Sequence, residues 1–201
     1  MNKVRLIVFV KAPLAGKVKT RLGASIGMLN AARLYKFLCY NYLKKVSGCS
    51  EIDVEVWASP DTHHPFFLQC RRELGITIRR QPSGSLGERM YRSIKMSLRN
   101  CSTVILTGSD MPDISGEDLK QAISSLDDSA DVVFSPALDG GYGLVAMKKP
   151  VKSIFYGMHW SCSNVLDISL RRLERQKHSV HLLPAHIDID TLSDYRKYLR
   201  E

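Results

Sequence analysis

Two short apolar stretches limit what this chain can become. Val104-Ile-Leu-Thr107 and Asp131-Val-Val-Phe134 run apolar without alternating with polar residues. A strand with one wet face alternates, whereas a strand covered on both faces has no need to. These two stretches therefore predict interior strands of a sheet with helices on both sides. Strands are expected at 4–10, 52–58, 76–80, 103–107, 131–135, 143–147 and 179–183. Helical periodicity fills the intervals at 25–46, 62–74, 87–99, 116–126, 161–176 and 191–200. In the clearest of these, Leu86, Met90, Ile94 and Leu98 recur every four residues and share one face. Strand alternating with helix gives an α/β domain with right-handed crossovers, a three-layer sandwich around a mostly parallel sheet. The 201 residues suit one such domain, 1–201.

Ligands of such sheets sit beyond the C-terminal ends of the strands, so the segment after each strand carries the functional reading. The first strand is followed by Lys11-Ala-Pro-Leu-Ala-Gly-Lys-Val-Lys-Thr-Arg21, a loop with four cations. It is neither a Walker A loop nor a Rossmann G-x-G-x-x-G. A loop of Gly, Lys, Thr and Arg before a helix still suits phosphates, through backbone N–H groups, point charges and the bidentate guanidinium fork. The bland alternative is a solvated basic turn. After 103–107 comes Gly108-Ser-Asp-Met-Pro-Asp113. Asp110 at the tip of a buried strand suits a hard divalent cation, since Mg²⁺ takes one or two carboxylates plus substrate phosphates. Asp113, with Ser115 and Asp118, reads as a helix start.

Three more strand ends carry polar groups. Asp139-Gly140-Gly141 is either a plain tight turn or open backbone beside a ligand, with Asp139 accepting from a hydroxyl or amine. In His186-Ile-Asp-Ile-Asp190-Thr-Leu-Ser-Asp194, Asp188 and Asp190 alternate with Ile and share one side of an extended segment. A carboxylate there completes a two-Asp metal site with Asp110, or caps the last helix. The loop Arg80-Gln81-Pro-Ser-Gly84-Ser-Leu-Gly-Glu-Arg-Met90 enters the helix at 87–99, and the Gln81 amide is suited to read a nucleobase edge.

The totals narrow the field further. The balance of 29 Lys+Arg against 20 Asp+Glu, or +9, favours anionic partners without choosing among them. The run Leu6 to Val10 is far short of the ~20 residues that span a bilayer and too short for a signal-peptide core, so a cytoplasmic protein is expected. The five cysteines form no C-x-x-C pair, against both a disulfide framework and a zinc ribbon. No G-x-S-x-G elbow is present.

Six motifs stand in order along the chain: F-V-K-A-P-x-x-G-K-V-K-T-R-L, G-S-L-G-E-R-M, G-S-D-M-P-D, P-A-x-D-G-G-Y, the pair Trp160-Ser161, and D-I-D-T. Together they resemble the glycosyltransferase-A-like bacterial transferases sometimes called selenodomain-associated, which are related to the 2-phospholactate guanylyltransferases. The resemblance spans about residues 3 to 198. It implies a nucleotide-diphosphosugar transferase (GT-A) fold. It implies a first loop around the donor phosphates: Lys19 and Arg21 foremost, Lys11 as a further contact, with Gly16 and Thr20 in the same loop. It implies a metal site of Asp110 and Asp190, for Mg²⁺ or Mn²⁺; the base subsite is expected at Gln81 and Gly84 on the amide's own chemistry. Gly140, Gly141, Tyr142 and Trp160 are placed on the acceptor side, and Asp110 and Asp139 nearest the chemistry. The sequence departs from that family at Ser85, where an acidic residue is usual, and at Gly143, where a bulkier one is. Asp110-Met-Pro-Asp113 only approximates a D-x-D.

The function expected is metal-dependent transfer from a nucleotide sugar or nucleoside triphosphate to a small-molecule acceptor. Glycosyl transfer is preferred over nucleotidyl transfer to a phosphorylated small molecule. A divalent cation with Lys and Arg offsets the charge that grows on a leaving phosphate. The rival of another class is a non-catalytic basic nucleotide- or RNA-binding protein. It explains the charge but not the acidic residues at separate strand ends, and no RNA-binding motif is present. No nucleic-acid partner is therefore expected.

Overall fold

The computed structural model describes residues 3–160 and 162–199. β1 (Val4–Lys11) pairs in parallel with β2 (Ile52–Ser59) on one side and β4 (Thr103–Gly108) on the other. β3 (Thr77–Arg80) joins the free edge of β2, also in parallel. On the far side β6 (Tyr142–Met147) runs antiparallel to both β4 and β5 (Val132–Pro136), and β7 (Val180–Leu182) pairs in parallel with β5. The seven strands lie in the order β3-β2-β1-β4-β6-β5-β7, with β6 alone reversed. β6 is reversed because residues 137–141 form a tight turn, with Ala137 N donating to Gly141 O at 3.0 Å. A turn that short returns the chain antiparallel, whereas a parallel return needs a crossover.

Alternating residues of the strands feed two separate cores. Leu6, Val8, Val56, Ile105 and Val133 pack under α2 (Met28–Ser47), α3 (Pro65–Leu74) and α5 (Gly116–Asp128), which contribute Leu43, Phe67 and Ala122. On the opposite face Ile7, Trp57, Leu106, Phe134 and Val145 pack under α4 (Leu86–Ser97) and α6 (Val165–Arg175). The result is the three-layer α/β sandwich that the unalternating strands predict. The polar break in β1 is also accounted for: Arg5 is buried, bonded to Asp53 at 2.7 Å and paired with Glu55 at 3.2 Å.

The helix expected over 25–46 is two helices. α1 (Thr20–Ile26) ends at Gly27, whose φ of 87° and ψ of 141° no helix continues through, and α2 starts at the next residue. The short α7 (Leu192–Tyr198) opens on a capping box in which Thr191 accepts from Asp194 N and Asp194 accepts from Thr191 N.

Candidate active site

The loop after β1 returns to the sheet. Ala12 N donates to Ser59 O at 2.7 Å, and Val18 packs with Ala32 and Tyr35 beneath the loop. Lys19 follows in the left-handed region, φ 45° and ψ 47°, which non-glycine residues seldom occupy. That turn sends its side chain inward, and only 5% of it is exposed. The ammonium donates to Asp110 Oδ2 at 3.2 Å, Asp188 Oδ1 at 2.8 Å and Asp190 Oδ1 at 2.8 Å.

Each carboxylate is carried by a braced segment. Asp110 stands just past β4. There Tyr35 Oη receives Lys11 N at 3.1 Å and shares a 2.7 Å hydrogen bond with Ser109 Oγ, tying the ends of β1 and β4 together. Asp188 and Asp190 lie on an extended stretch whose alternate residue, Ile189, is buried, so both carboxylates face the same way. The stretch is pinned at several points. His186 N donates to Pro136 O at 3.0 Å and Ile189 N to Asp110 O at 3.4 Å. Asp113 Oδ2 takes Ile187 N at 3.1 Å and sits 2.9 Å from His186 Nδ1. Asp113 is thus not part of a helix start: Ser115 and Asp118 cap α5 by themselves, and Asp113 instead fastens the 186–190 stretch. Its carboxyl lies below the usual range although burial opposes this, because His186 and the Ile187 amide stabilise the anion.

One oxygen from each of Asp110, Asp188 and Asp190 lies within 4.8 Å of the other two. The charges condition one another. Burial works to lower the Lys19 ammonium, but the three carboxylates outweigh it and hold the group above the ordinary lysine range. Burial, with Asp110 beside it, pushes the Asp188 carboxyl upward. Three hard oxygen ligands around one point suit Mg²⁺ or Mn²⁺ better than a soft metal. Asp110 and Asp190 were legible as a pair. Asp188, named beside Asp190 in the sequence but left out of that pair, stands with them as a third carboxylate, as its alternation with Ile187 and Ile189 allowed.

The remaining loop residues surround this centre less closely. Arg21 is 77% exposed, its Nη1 3.8 Å from Asp190 Oδ2. Lys11 and Thr20 are exposed, as is Gly16, whose φ is 74°. Across the sheet, Asp139 is exposed and its Oδ1 accepts from Gly141 N at 2.9 Å, closing the turn into β6. Gly140 is at φ 89°, and a Cβ there would stand 1.8 Å from Ser163 O, so the glycine admits the chain that leads into α6. Tyr142 packs between Phe134, tilted at 4.7 Å, and Trp160, edge-on at 6.0 Å, with its hydroxyl buried and without a partner among the described residues. Ser161 lies outside the described residues. Gly143 is explained by packing: a Cβ there would fall 1.4 Å from Met111 Sδ, directly beside Asp110.

The Gln81 amide is spoken for at both ends. Its Nε2 donates to Trp57 O at 2.8 Å and its Oε1 accepts from Arg89 Nη1 at 2.7 Å. It lines a cavity of about 480 Å³ with Ser59, Pro60, Arg80, Pro82, Ser83 and Arg89. Gly84, at φ 119°, turns the chain into α4. Ser85, in place of the acidic residue, is the N-cap of α4: its hydroxyl accepts from Glu88 N and Glu88 Oε2 accepts from Ser85 N.

Solved structures share this architecture. A candidate nucleotide-diphospho-sugar transferase from Desulfovibrio desulfuricans is 30% identical with a TM-score of 0.90, covering 100% of this chain and 87% of its own. The 4-diphosphocytidyl-2C-methyl-D-erythritol synthase of Anaerococcus prevotii is 15% identical with a TM-score of 0.65, over 100% and 99%. A Mycobacterium tuberculosis protein solved as a complex with manganese is 14% identical with a TM-score of 0.56, over 99% of each chain. The last two are alike in fold alone. No curated protein matches the chain in sequence. The family described as "Uncharacterized protein conserved in bacteria (DUF2064)" matches residues 42–162, which include β4, Asp110 and the Asp139 turn, and the chain belongs to that family.

Proposed function

We propose that this protein is a metal-dependent transferase that uses a nucleotide donor, in the first instance glycosyl transfer from a nucleotide sugar. One observation carries the reading. Lys19, Asp110, Asp188 and Asp190 come from three distant parts of the chain and converge at one point beyond the ends of β1 and β4. Asp110, Asp188 and Asp190 would hold Mg²⁺ or Mn²⁺, which supplies positive charge against the donor's diphosphate. The ammonium of Lys19 occupies the point where the three carboxylates meet, so it and a divalent cation compete for them. Displaced from it, Lys19 is the nearest cation to the phosphates, with Arg21 at the rim and Lys11, Gly16 and Thr20 along the loop. The Gly140-Gly141-Tyr142 turn and Trp160 wall the acceptor side. The free oxygen of Asp139 takes the proton of the acceptor's hydroxyl there.

The 30% identical transferase supports the donor class. Nucleotidyl transfer to a phosphorylated acceptor is the second reading, favoured by the fold shared with the diphosphocytidyl-methylerythritol synthase. Mass spectrometry after incubation with Mn²⁺, nucleotide sugars or nucleoside triphosphates, and an extract of small metabolites separates the two. Release of nucleoside diphosphate supports glycosyl transfer, and release of pyrophosphate supports nucleotidyl transfer. If neither class of donor binds in the presence of Mg²⁺ or Mn²⁺, the transferase reading is wrong.

A further inference from the structure

We propose that Arg89, and not Gln81, reads the donor's base, and that this base carries two adjacent hydrogen-bond acceptors. Guanine offers them at O6 and N7, cytosine at O2 and N3. The proposal rests on the nucleotide-donor reading above and adds the class of nucleotide.

The cavity of about 480 Å³ lies at the C-terminal ends of β2 and β3, where an open α/β sheet receives its ligand. Its size falls within the range of small-molecule pockets. β2 and β4 flank β1, so the cavity and the carboxylate cluster stand about two strand spacings, roughly 10 Å, apart. A nucleoside and its phosphates bridge that distance.

The charged part of the lining is all donors. Arg80 and Arg89 are its charged groups, with two serines, two prolines and Gln81, and no carboxylate. A free glutamine presents a donor beside an acceptor, the pattern that complements adenine at N6 and N7. Gln81 has no such freedom, because its NH₂ is held by Trp57 O and its carbonyl by Arg89. It serves as the positioning residue for the guanidinium. Arg89 uses Nη1 on Gln81, while its Nε–H is buried with no partner among the described residues. A buried donor left unmade is costly, and a ligand that draws the guanidinium toward the cavity completes it and recovers the cost. Guanidinium donors in a fork demand acceptors side by side, as arginine meets the O6 and N7 of guanine. Adenine sets a donor next to its acceptor, and uracil places an N–H between its two carbonyls. Either would turn a donor toward Arg89.

The test is equilibrium binding of GTP, CTP, ATP and UTP to the full chain with Mn²⁺, for wild type, Arg89→Lys and Arg89→Gln. The wild type should hold GTP or CTP at least about tenfold tighter than ATP and UTP. Arg89→Lys keeps the charge but not the fork. It should retain triphosphate binding and lose most of that spread, with an unchanged melting temperature showing that it folds. The 7-deaza analogue of GTP or the 3-deaza analogue of CTP, whichever parent wins, should bind like ATP. Inorganic phosphate should not displace guanosine or cytidine from the wild type. Preference for ATP or UTP, equal affinity for all four, or a spread that survives both substitutions overturns the proposal while leaving the transferase reading intact. If no triphosphate or nucleotide sugar binds, both fall.

Discussion

Replacing Lys19 by Met removes the ammonium and keeps most of the side chain's bulk. Opposite unit charges 2.8 Å apart, as for Lys19 and Asp188, attract by about 6 kcal/mol at an effective dielectric near 20, and like charges at 4.8 Å repel by about 3.5 kcal/mol. Loss of one partner from a buried pair costs about 3–5 kcal/mol. The three carboxylates are 28–42% exposed, so water takes up part of that cost and about 2 kcal/mol remains. In a chain of this length each kcal/mol moves Tm by about 2–4 °C. In EDTA, Lys19→Met should therefore melt about 4–8 °C below the wild type. Mn²⁺ should close the gap. A ligand at a hundred times its Kd adds about 2.7 kcal/mol, and the variant should reach saturation at lower Mn²⁺ because no ammonium competes. Thermal melts across a Mn²⁺ series measure both. Equal melting in EDTA would show that Lys19 does not hold the carboxylates together. Identical Mn²⁺ curves for the two proteins would refute the cation site at Asp110, Asp188 and Asp190.

Other perturbations follow from the same contacts. Glu55, 3% exposed, receives Trp57 Nε1 and Arg79 Nε and pairs with the buried Arg5. Glu55→Ala leaves Arg5 to Asp53 alone, and a loss of about 3 kcal/mol is expected in urea unfolding. The hydrogen bond that His186 donates to Asp113 raises His186 above the ordinary histidine range, with burial opposing and Asp118 assisting. Its contribution to stability is complete below the unfolded histidine value and is lost as pH rises through the raised folded value. His186→Gln should flatten the fall of Tm across that alkaline side, and an unchanged profile would exclude the ion pair as its source. Gly143→Ala forces Met111 aside, and a loss of about 1–3 kcal/mol should be accompanied by weaker Mn²⁺ binding at neighbouring Asp110. A variant as stable as the wild type would mean that Met111 yields freely.

Much of the architecture was legible because burial leaves its mark on composition. Val104–Leu106 and Val132–Phe134 are apolar on both sides, and both prove to lie between two helical layers. The break at Gly27 was not legible, since periodicity is almost indifferent to one residue's φ. At the site, Asp110 could be read from its place after a strand, and Asp190 from its motif. The inward turn of Lys19 could not. It depends on a left-handed backbone at a lysine, which residue type disfavours and only the packing of Val18 and the carboxylates sustains. Gln81 has the chemistry of a base reader, but the Trp57 carbonyl and Arg89 that occupy it are brought there by the pairing of β2 with β3 and by the start of α4.

The carboxylate pair of residues 188 and 190 reaches Asp110 only after β5, β6 and β7 are in place, because His186 is fastened to Pro136 and Asp113. During synthesis, the sheet's central strands can therefore assemble long before Asp188 and Asp190 join Asp110. A half-made chain on the ribosome holds its lone Asp110 without the companions that would trap a divalent ion. Proteolytic removal of everything beyond Leu183 would likewise leave all seven strands while taking Asp188 and Asp190 from the proposed cation site.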